Sequence, residues 1–360
     1  MERFGFVGLP NAGKSSLFNA LAGGGALAAP YAFATTDPNV GVVRVPDPRL
    51  DALAEMSKSR KVVHSTTEFV DIGGLVEGAS QGEGLGNRFL AGIREVDAVV
   101  FVLRSFADAD VPGPSDPLEH LRVVELELTL ADLEAVESRI DKRRKALRAA
   151  PRDAALVAEV AALEVAYGHL SDGTPLFRAG LRAEEAAALR EHFLLTNKPV
   201  MAVLNIGEDQ LAEADEIAEG IAAALPGAQV LALSIQLEAE AAMLDDEERA
   251  ELLEGLGLGE GALPRFVRAA HSLLGLRTFL TTGEKESRAW TFHEGWKAPQ
   301  CAGRIHTDFE RGFIRAEVIG WEDLLELGSW PRAREAGRIR LEGKDYPMND
   351  GDVVEFRFNV

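Results

Sequence analysis

The residues with the clearest capacity for chemistry stand near the start of the chain, in Gly8-Leu9-Pro10-Asn11-Ala12-Gly13-Lys14-Ser15. This segment fits G-x-x-x-x-G-K-[ST], a pattern whose glycines let backbone amides wrap a phosphate. Lys14 would reach the outer phosphates, and the Ser15 hydroxyl would bind Mg²⁺. A predicted strand at 4–7 and a helical pattern at 17–21 flank the segment, as a phosphate loop requires. The residues expected to contact the nucleotide here are Asn11, Ala12, Gly13, Lys14, Ser15 and Ser16.

Two later segments could complete the site around the metal and the terminal phosphate. Thr35 lies in a loop before a predicted strand at 40–45, where its hydroxyl could bind Mg²⁺ and close the loop on the γ-phosphate. Asp71 ends a predicted strand and could hold Mg²⁺ through water, while the Gly74 amide could meet the γ-phosphate. We therefore predict catalytic roles for Lys14, Thr35 and Gly74, and metal-binding roles for Ser15, Thr35 and Asp71.

The residue after Gly74 weakens the case for fast hydrolysis. Many GTPases place a water-orienting glutamine there, but this chain has Leu75, which cannot orient water by hydrogen bonding. Asn11 offers one substitute, because an asparagine in the phosphate loop could ligate K⁺ beside the phosphates and supply charge. A nucleotide-gated scaffold with negligible turnover stays open as an alternative.

The segment Asn205-Ile206-Gly207-Glu208 stands where GTPases carry N-K-x-D, whose aspartate accepts two hydrogen bonds from guanine. Here the lysine is replaced by Ile206, and Glu208 is one methylene longer than aspartate. A pocket loses selectivity when its hydrogen-bonding partners move, so we expect adenine to be preferred. Ser234, after the next predicted strand, would close the pocket through its backbone. A true GTPase of ribosome assembly is the alternative, and it predicts guanine preference.

The composition indicates a globular protein in the cytoplasm. The chain has 360 residues, of which 46% are hydrophobic, and its single cysteine excludes an intrachain disulfide. No apolar run approaches the roughly 18 residues of a membrane span, and the N-terminus enters a strand without a signal segment. The net charge of −20 opposes non-specific binding of nucleic acid, although a local basic patch is compatible with it. The scattered histidines give no metal-like cluster.

The pattern of elements predicts three parts. Strands and helices alternate over 1–122 and again over 198–275, which indicates one discontinuous nucleotide-binding domain. Residues 123–197 carry two helical runs separated by Ala150-Pro151, typical of an antiparallel helical hairpin inserted in that domain. Residues 276–360 show alternating runs with glycine-rich turns, which favours a small β-rich domain.

Taken together, these residues resemble the YchF/Obg-like ATPase family over essentially the whole chain. The resemblance implies an α/β P-loop NTPase (a G domain) with an inserted coiled-coil hairpin and a C-terminal β-grasp-like TGS domain. It further implies hydrolysis of ATP to ADP and association with the ribosome. We expect Mg²⁺ as the cofactor and a monomeric protein. One departure is that the family tends to have a histidine in the loop after the fifth strand, whereas 110–114 has none. The segments that carry the resemblance are Gly8–Ser15, Phe33–Thr35, Asp71–Val76, Gly82–Asn87, Asn205–Glu208, Ala302–Ile314 and Asp350–Asp352.

Two groups of cations could contact RNA despite the acidic composition. The first is the run Asp141–Arg148 near the predicted tip of the hairpin, with Arg152 just past the turn. Such a run suits RNA phosphates, although a solvated helix face is the ordinary alternative. The second group lies in the β-rich domain and comprises Lys285, Arg288, Arg304, Arg311 and Arg315.

Overall fold

The computed structural model describes residues 1–22, 39–73, 85–107, 111 and 113–359, of which 85–88 and 246 are described by backbone alone. The chain separates into two compact units. The first comprises residues 1–42 and 68–263, and the second comprises residues 43–67 and 264–360. Thr35 and Gly74 lie outside the described residues.

The first sheet has six strands in the order β2-β4-β1-β5-β6-β7. Its strands are β1 (Arg3–Val7), β2 (Val40–Arg44), β4 (Thr66–Asp71), β5 (Ala98–Arg104), β6 (Val200–Asn205) and β7 (Gln229–Leu233), while β3 (Val62–Val63) belongs to the second sheet. The neighbouring pairs β4/β1, β1/β5, β5/β6 and β6/β7 are all parallel. Every residue of β5 is buried, as expected of a strand covered on both faces. The carboxyl ends of these strands therefore meet at one edge, where such sheets bind ligands.

Helices and 3₁₀ turns connect these strands. The α-helices before residue 276 are α1 (Lys14–Ala22), α2 (Pro48–Ser57), α3 (Leu85–Arg94), α4 (Pro117–Ala149), α5 (Ala154–Ser171), α6 (Ala183–Ala188), α7 (Ala214–Ala222), α8 (Ile235–Ala241), α9 (Asp246–Gly255) and α10 (Ala262–Leu273). The 3₁₀ helices are Leu176–Arg178, Arg190–His192, Leu195–Asn197 and Glu208–Glu213.

Helices α4 and α5 form the predicted hairpin. Asp116 and Asp153 cap their N-termini through side-chain hydrogen bonds to backbone amides. Val136 and Ile140 of α4 pack with Leu163 and Leu170 of α5 in one apolar cluster. The sequence predicted no membrane span, yet α5 is long and apolar enough for one by length and composition, with a mean hydropathy of 1.2. Its buried face is occupied by the contact with α4.

The second sheet is mixed and has the order β11-β10-β12-β8-β9-β3. Its remaining strands are β8 (Leu276–Thr281), β9 (Ser287–His293), β10 (Phe313–Gly320), β11 (Arg340–Glu342) and β12 (Asp352–Phe358). The first and last long strands, β8 and β12, are parallel neighbours, whereas β8/β9 and β10/β12 are antiparallel. The helices are α11 (Ala298–Ile305), α12 (Thr307–Arg311), α13 (Trp321–Leu327) and α14 (Trp330–Glu335), and α11 packs Cys301 and Ala302 into the core. This arrangement agrees with the predicted β-grasp-like domain.

The grouping of residues 43–67 differs from the sequence prediction, which placed them in the nucleotide-binding domain. In the structure they belong to the second unit. The physical reason is that β3 pairs with β9, and Leu50 and Leu53 of α2 pack in a core cluster with Leu280 and Ala289. The sequence pattern of an amphipathic helix predicts which of its residues are buried, but it does not predict which other element they pack against.

A buried carboxyl on α4 should make stability depend on pH. Glu125 Oε1 lies 2.7 Å from Nη2 of Arg178, and burial raises the Glu125 pKa to about 7. Because folding favours its protonated form, this contribution to the free energy of unfolding is lost as pH rises from 4.5 through about 7. We therefore expect Glu125→Gln to gain about 3 kcal/mol relative to wild type across that interval, measured by urea unfolding.

Glu164→Gln is the matched control for that measurement. Glu164 is half exposed, at 49%, and pairs with Arg144 across the hairpin at 3.0 Å. An exposed pair contributes little, so its difference from wild type should stay flat over the same pH range. Parallel curves for wild type and Glu125→Gln would contradict the assignment of the titration to Glu125.

Candidate nucleotide-binding site

A cleft of about 1110 Å³ opens at the carboxyl edge of the first sheet. Its walls come from the loop between β1 and α1, the loop after β5, the segment after β6 and the start of α8. The structure brings nine of the predicted nucleotide-binding residues to this cleft: Asn11, Gly13, Lys14, Ser15, Ser16, Asn205, Ile206, Glu208 and Ser234. Ala12 is fully buried beneath it.

The loop between β1 and α1 has the backbone shape that its sequence pattern requires. Asn11 has φ +61° and Gly13 has φ +104°, a conformation that L side chains rarely adopt. A Cβ on Gly13 would lie 2.5 Å from Nδ2 of Asn205, and one on Gly8 would lie 2.3 Å from the carbonyl oxygen of Val102. Both glycines are therefore fixed by close approach, which keeps the loop tight against the sheet.

Lys14 is folded back over this loop. Its Nζ donates a hydrogen bond to the carbonyl oxygen of Leu9 at 2.8 Å, and the residue is 6% exposed. Burial lowers the pKa of Lys14, while the negative charge of Asp71 opposes that shift. A cation placed where water is largely excluded interacts strongly with any anion that enters the cleft.

Ser15 and Asp71 meet on the same side of the loop. Ser15 Oγ donates to Oδ2 of Asp71 at 2.5 Å, and the Gly73 amide donates to Oδ1 at 3.3 Å. Asp71 reaches this position because β4 pairs with β1 in a register that sets it beside Phe6, just before the loop. Hydroxyl and carboxylate oxygens are suitable donors for Mg²⁺, which keeps several waters and binds few protein groups. Among the described residues, no group of three or more His, Cys, Asp or Glu could hold a metal.

Asn205 ties two walls of the cleft together. Its Nδ2 donates to the carbonyl oxygen of Ala12 at 3.1 Å, and its Oδ1 accepts from the Ile235 amide at 3.2 Å. Ser234 is buried, and its Oγ accepts from the Leu237 amide, which caps α8. Both side chains are thus engaged in building the cleft, in addition to lining it.

The segment after β6 gives the cleft an apolar wall and a solvated rim. Ile206 is 2% exposed and packs in the core cluster of the first unit while lining the cleft. Glu208 begins the 3₁₀ helix Glu208–Glu213 and is exposed. Asp209 beside it also lines the cleft.

One wall of the cleft is not predicted by any sequence motif. Phe106, Ala107 and Val111, from the loop after β5, line the cleft although no motif marks them. The available signal was positional, because this loop follows the carboxyl end of a fully buried parallel strand.

Comparisons with known proteins agree with this geometry. Residues 3–147 match the MMR_HSR1 family, described as 50S ribosome-binding GTPase, and residues 276–359 match YchF-GTPase_C, described as a protein of unknown function (DUF933). The chain is 47% identical over 365 residues to the ribosome-binding ATPase YchF of Bacillus subtilis, covering 99% of each chain. The chain belongs to the YchF family. The YchF protein of Haemophilus influenzae, also named a ribosome-binding ATPase, is 48% identical over 362 residues, with 99% of each chain covered.

A solved YchF structure confirms the predicted fold. The Schizosaccharomyces pombe YchF GTPase superposes with a TM-score of 0.87 at 34% identity, covering 99% of this chain and 97% of that one. The P-loop domain and the C-terminal domain of the YchF family are therefore both present. The names of these relatives differ on the nucleotide, since the bacterial proteins are called ATPases and the yeast protein a GTPase.

Proposed function

We propose that this chain is a Mg²⁺-dependent ATPase that binds ribosomes and acts as a nucleotide-state switch in translation or a stress response. The observation that carries the proposal is the cleft itself, which is lined by Lys14, by Ser15 with its bond to Asp71, and by a base segment that lacks N-K-x-D. The names of the bacterial relatives support both ATP hydrolysis and ribosome binding for their own chains.

The residues of the cleft divide the work of phosphate recognition. Backbone amides of the loop and the N-terminus of α1 point at the phosphates. On nucleotide entry, Lys14 exchanges the Leu9 carbonyl for a phosphate oxygen and places its charge where negative charge develops. Ser15 and Asp71 would hold Mg²⁺, which when bound neutralises charge on the phosphates. Thr35 is proposed to bind the metal and the Gly74 amide the γ-phosphate, so that both loops respond to hydrolysis.

Asn11 is proposed to hold K⁺ beside the phosphates, because Leu75 provides no polar group for the attacking water. The side chain of Asn11 stands exposed in the cleft on a loop that must keep its shape. Turnover in KCl should exceed turnover in NaCl several-fold, and equal rates would contradict the role of Asn11.

The base end of the cleft supports a preference for adenine. Ile206 presents an apolar wall where a GTPase has the lysine that stacks on guanine, and the Glu208 carboxylate is solvated at the rim. We expect the wild-type chain to bind a non-hydrolysable ATP analogue more tightly than the GTP analogue. Glu208→Asp combined with Ile206→Lys should shift the ratio of the two Kd values about tenfold toward GTP. Equilibrium titrations with Mg²⁺ measure both constants.

Two further variants make that test interpretable. Glu208→Asp alone changes an exposed residue, whereas a lysine at the buried position 206 could disturb packing, so the single variant is measured first. Glu213→Asp, exposed in the same 3₁₀ helix and away from the cleft, should leave the ratio unchanged. A wild-type preference for GTP would favour the alternative of an assembly GTPase. Negligible turnover with and without ribosomes would favour the nucleotide-gated scaffold.

The hairpin tip is the proposed RNA contact, and the structure refines which cations are available. Arg143 pairs with Glu159 at 2.7 Å, and Arg144 pairs with Glu164 at 3.0 Å. The described part of the chain shows no ion pair for the other cations of the tip. These unpaired cations are Lys142, Lys145, Arg148 and Arg152. The first three are spaced i, i+3, i+6 along α4, which places them on one face.

The second predicted group of cations is more engaged within its own unit. Arg288 stacks on the Trp290 ring at 4.5 Å, and Arg304 donates to the carbonyl oxygen of Thr291. Arg315 lies 3.9 Å from the carboxylate of Glu317. An RNA contact through this domain, which would also include Lys285 and Arg311, stays a proposal. It has less support than the hairpin tip, because more of its cations already have partners within the domain.

Replacing the four unpaired tip cations with glutamine should weaken co-sedimentation with ribosomes about tenfold or more near 0.1 M salt, because each cation releases counterions from phosphate. ATP turnover without ribosomes should not change. The matched control is Arg143→Gln with Arg144→Gln, which removes two cations already neutralised by α5. Equal losses in the two variants would indicate non-specific charge, and no loss would contradict the tip as the contact.

The remaining proposals concern the state of the protein in the cell. We propose a cytoplasmic monomer, which cell fractionation and light scattering would test. The domain boundaries at 122, 197 and 275 are likewise proposed, with residues 43–67 assigned to the second unit. Limited proteolysis would report where the chain is cut.

A further inference from the structure

The wall that no motif marks is held by a buried arginine. Arg104 is the last residue of β5 and is 2% exposed. Its Nε donates to the carbonyl oxygen of Phe106, and its Nη1 donates to the carbonyl oxygen of Val111, both at 3.0 Å. Its guanidinium carbon also lies 4.6 Å from the centre of the Phe106 ring. One side chain therefore binds the backbone at two of the described positions that line the cleft, Phe106 and Val111.

The far end of the loop is fastened to α4. His120 is buried, and its Nε2 lies 2.6 Å from the carbonyl oxygen of Pro114, to which the neutral ring donates. Burial lowers the pKa of His120, and the charge of Arg104 lowers it further. Asp116 caps α4 through the Leu118 amide. The described part of the loop is thus pinned at both ends.

The register of the sheet places this wall at the base end of the cleft. Arg104 is paired with Asn205 between β5 and β6, and the Ser105 amide donates to the Asn205 carbonyl oxygen at 2.9 Å. Phe106 therefore follows beside the segment that begins with Ile206. The phosphate loop leaves the sheet from β1, on the opposite side of β5.

We propose that Arg104 is a positioning residue that sets the affinity of the cleft for the base and ribose of the nucleotide, by holding Phe106 and Val111 as its wall. The inference deepens the proposed function and rests on it. Burying a guanidinium is expensive unless its hydrogen bonds are satisfied, so this one is suited to fix a backbone that lacks regular structure. The phosphate contacts are made by other elements and do not depend on it.

The test compares a ligand that has a base with one that has none. Wild type, Arg104→Gln and Arg104→Lys are titrated with an ATP analogue and with inorganic tripolyphosphate, each with Mg²⁺. We expect the Kd for the ATP analogue to rise at least about tenfold in Arg104→Gln, while the Kd for tripolyphosphate stays within about twofold. Arg104→Lys keeps the charge but cannot span both carbonyls, so an intermediate value is expected.

Two more variants guard against a trivial result. Phe106→Leu keeps an apolar side chain and should also weaken the ATP analogue selectively, even if Arg104→Gln does not fold. Arg139→Gln removes another arginine that donates to a backbone carbonyl, that of His192 in the hairpin, and should change neither constant. Equal weakening of both ligands, or no weakening of either, would overturn the role of Arg104. A wild-type chain that binds neither ligand would overturn the proposed function as well as the role of Arg104. The failure of the proposed function is therefore distinguishable from the failure of the role of Arg104 alone.

Discussion

Lys14→Met should reduce ATP turnover by about 10²–10³-fold and weaken the binding of ATP by a similar factor. The side chain is buried beside the cleft, and its Nζ donates a hydrogen bond to one carbonyl oxygen. We expect Nζ to exchange that partner for a phosphate oxygen when the nucleotide binds. Methionine has nearly the same length and packs well, so the change removes the charge while preserving volume. The measurement is steady-state turnover together with equilibrium binding of the Mg²⁺–ATP analogue.

A half-buried lysine in the same unit, Lys198, provides the matched control. Lys198 Nζ donates to the carbonyl oxygens of Val96 and Arg94, and burial lowers its pKa as it does that of Lys14. It stands just before β6, at the edge of the sheet away from the cleft. Lys198→Met should therefore keep turnover while losing stability. If both variants lose activity alike, the loss reports the removal of a lysine charge from the unit and not phosphate recognition.

Gly13→Ala should weaken nucleotide binding by about a hundredfold or more. The added Cβ would lie 2.5 Å from Nδ2 of Asn205, in a residue whose φ is +104°. Asn205 would have to give up its bond to Ala12 or to Ile235, which would separate the phosphate loop from the turn at α8. Titration with an ATP analogue and thermal unfolding of the same samples measure the two consequences.

Gly227→Ala isolates the backbone part of that effect. Gly227 also has a positive φ, of +84°, and an added Cβ would meet nothing within 4 Å. Its substitution should lower stability by about 1 kcal/mol and leave nucleotide binding intact. A Gly13→Ala chain that binds the ATP analogue as wild type does would contradict the close approach of Asn205.

The phosphate loop and the succession of helices and strands were predictable because both depend on residues that are close together in the sequence. The shape of the loop depends on Gly8, Gly13 and the flanking strand and helix, all contiguous in sequence. The hairpin likewise follows from helical spacing within 123–197, and the C-terminal domain from alternation within 276–360. The fold predicted from these patterns is confirmed by the solved relative. The roles of Thr35 and Gly74 stay predictions, since both lie outside the described residues.

The tertiary structure decided what joins distant parts of the chain. Asn205 bonds to Ala12 across 193 positions, a contact that depends on how β6 and β1 are placed about β5. The hold of Arg104 on this wall has no sequence signature, because its hydrogen-bond partners are backbone carbonyls that any residue would offer. Tertiary contacts likewise decide which cations of the hairpin tip are neutralised. They also decide that residues 43–67 pack on β9. Sequence patterns report each element's own periodicity and chemistry, whereas partners across the fold are chosen by packing of the whole chain.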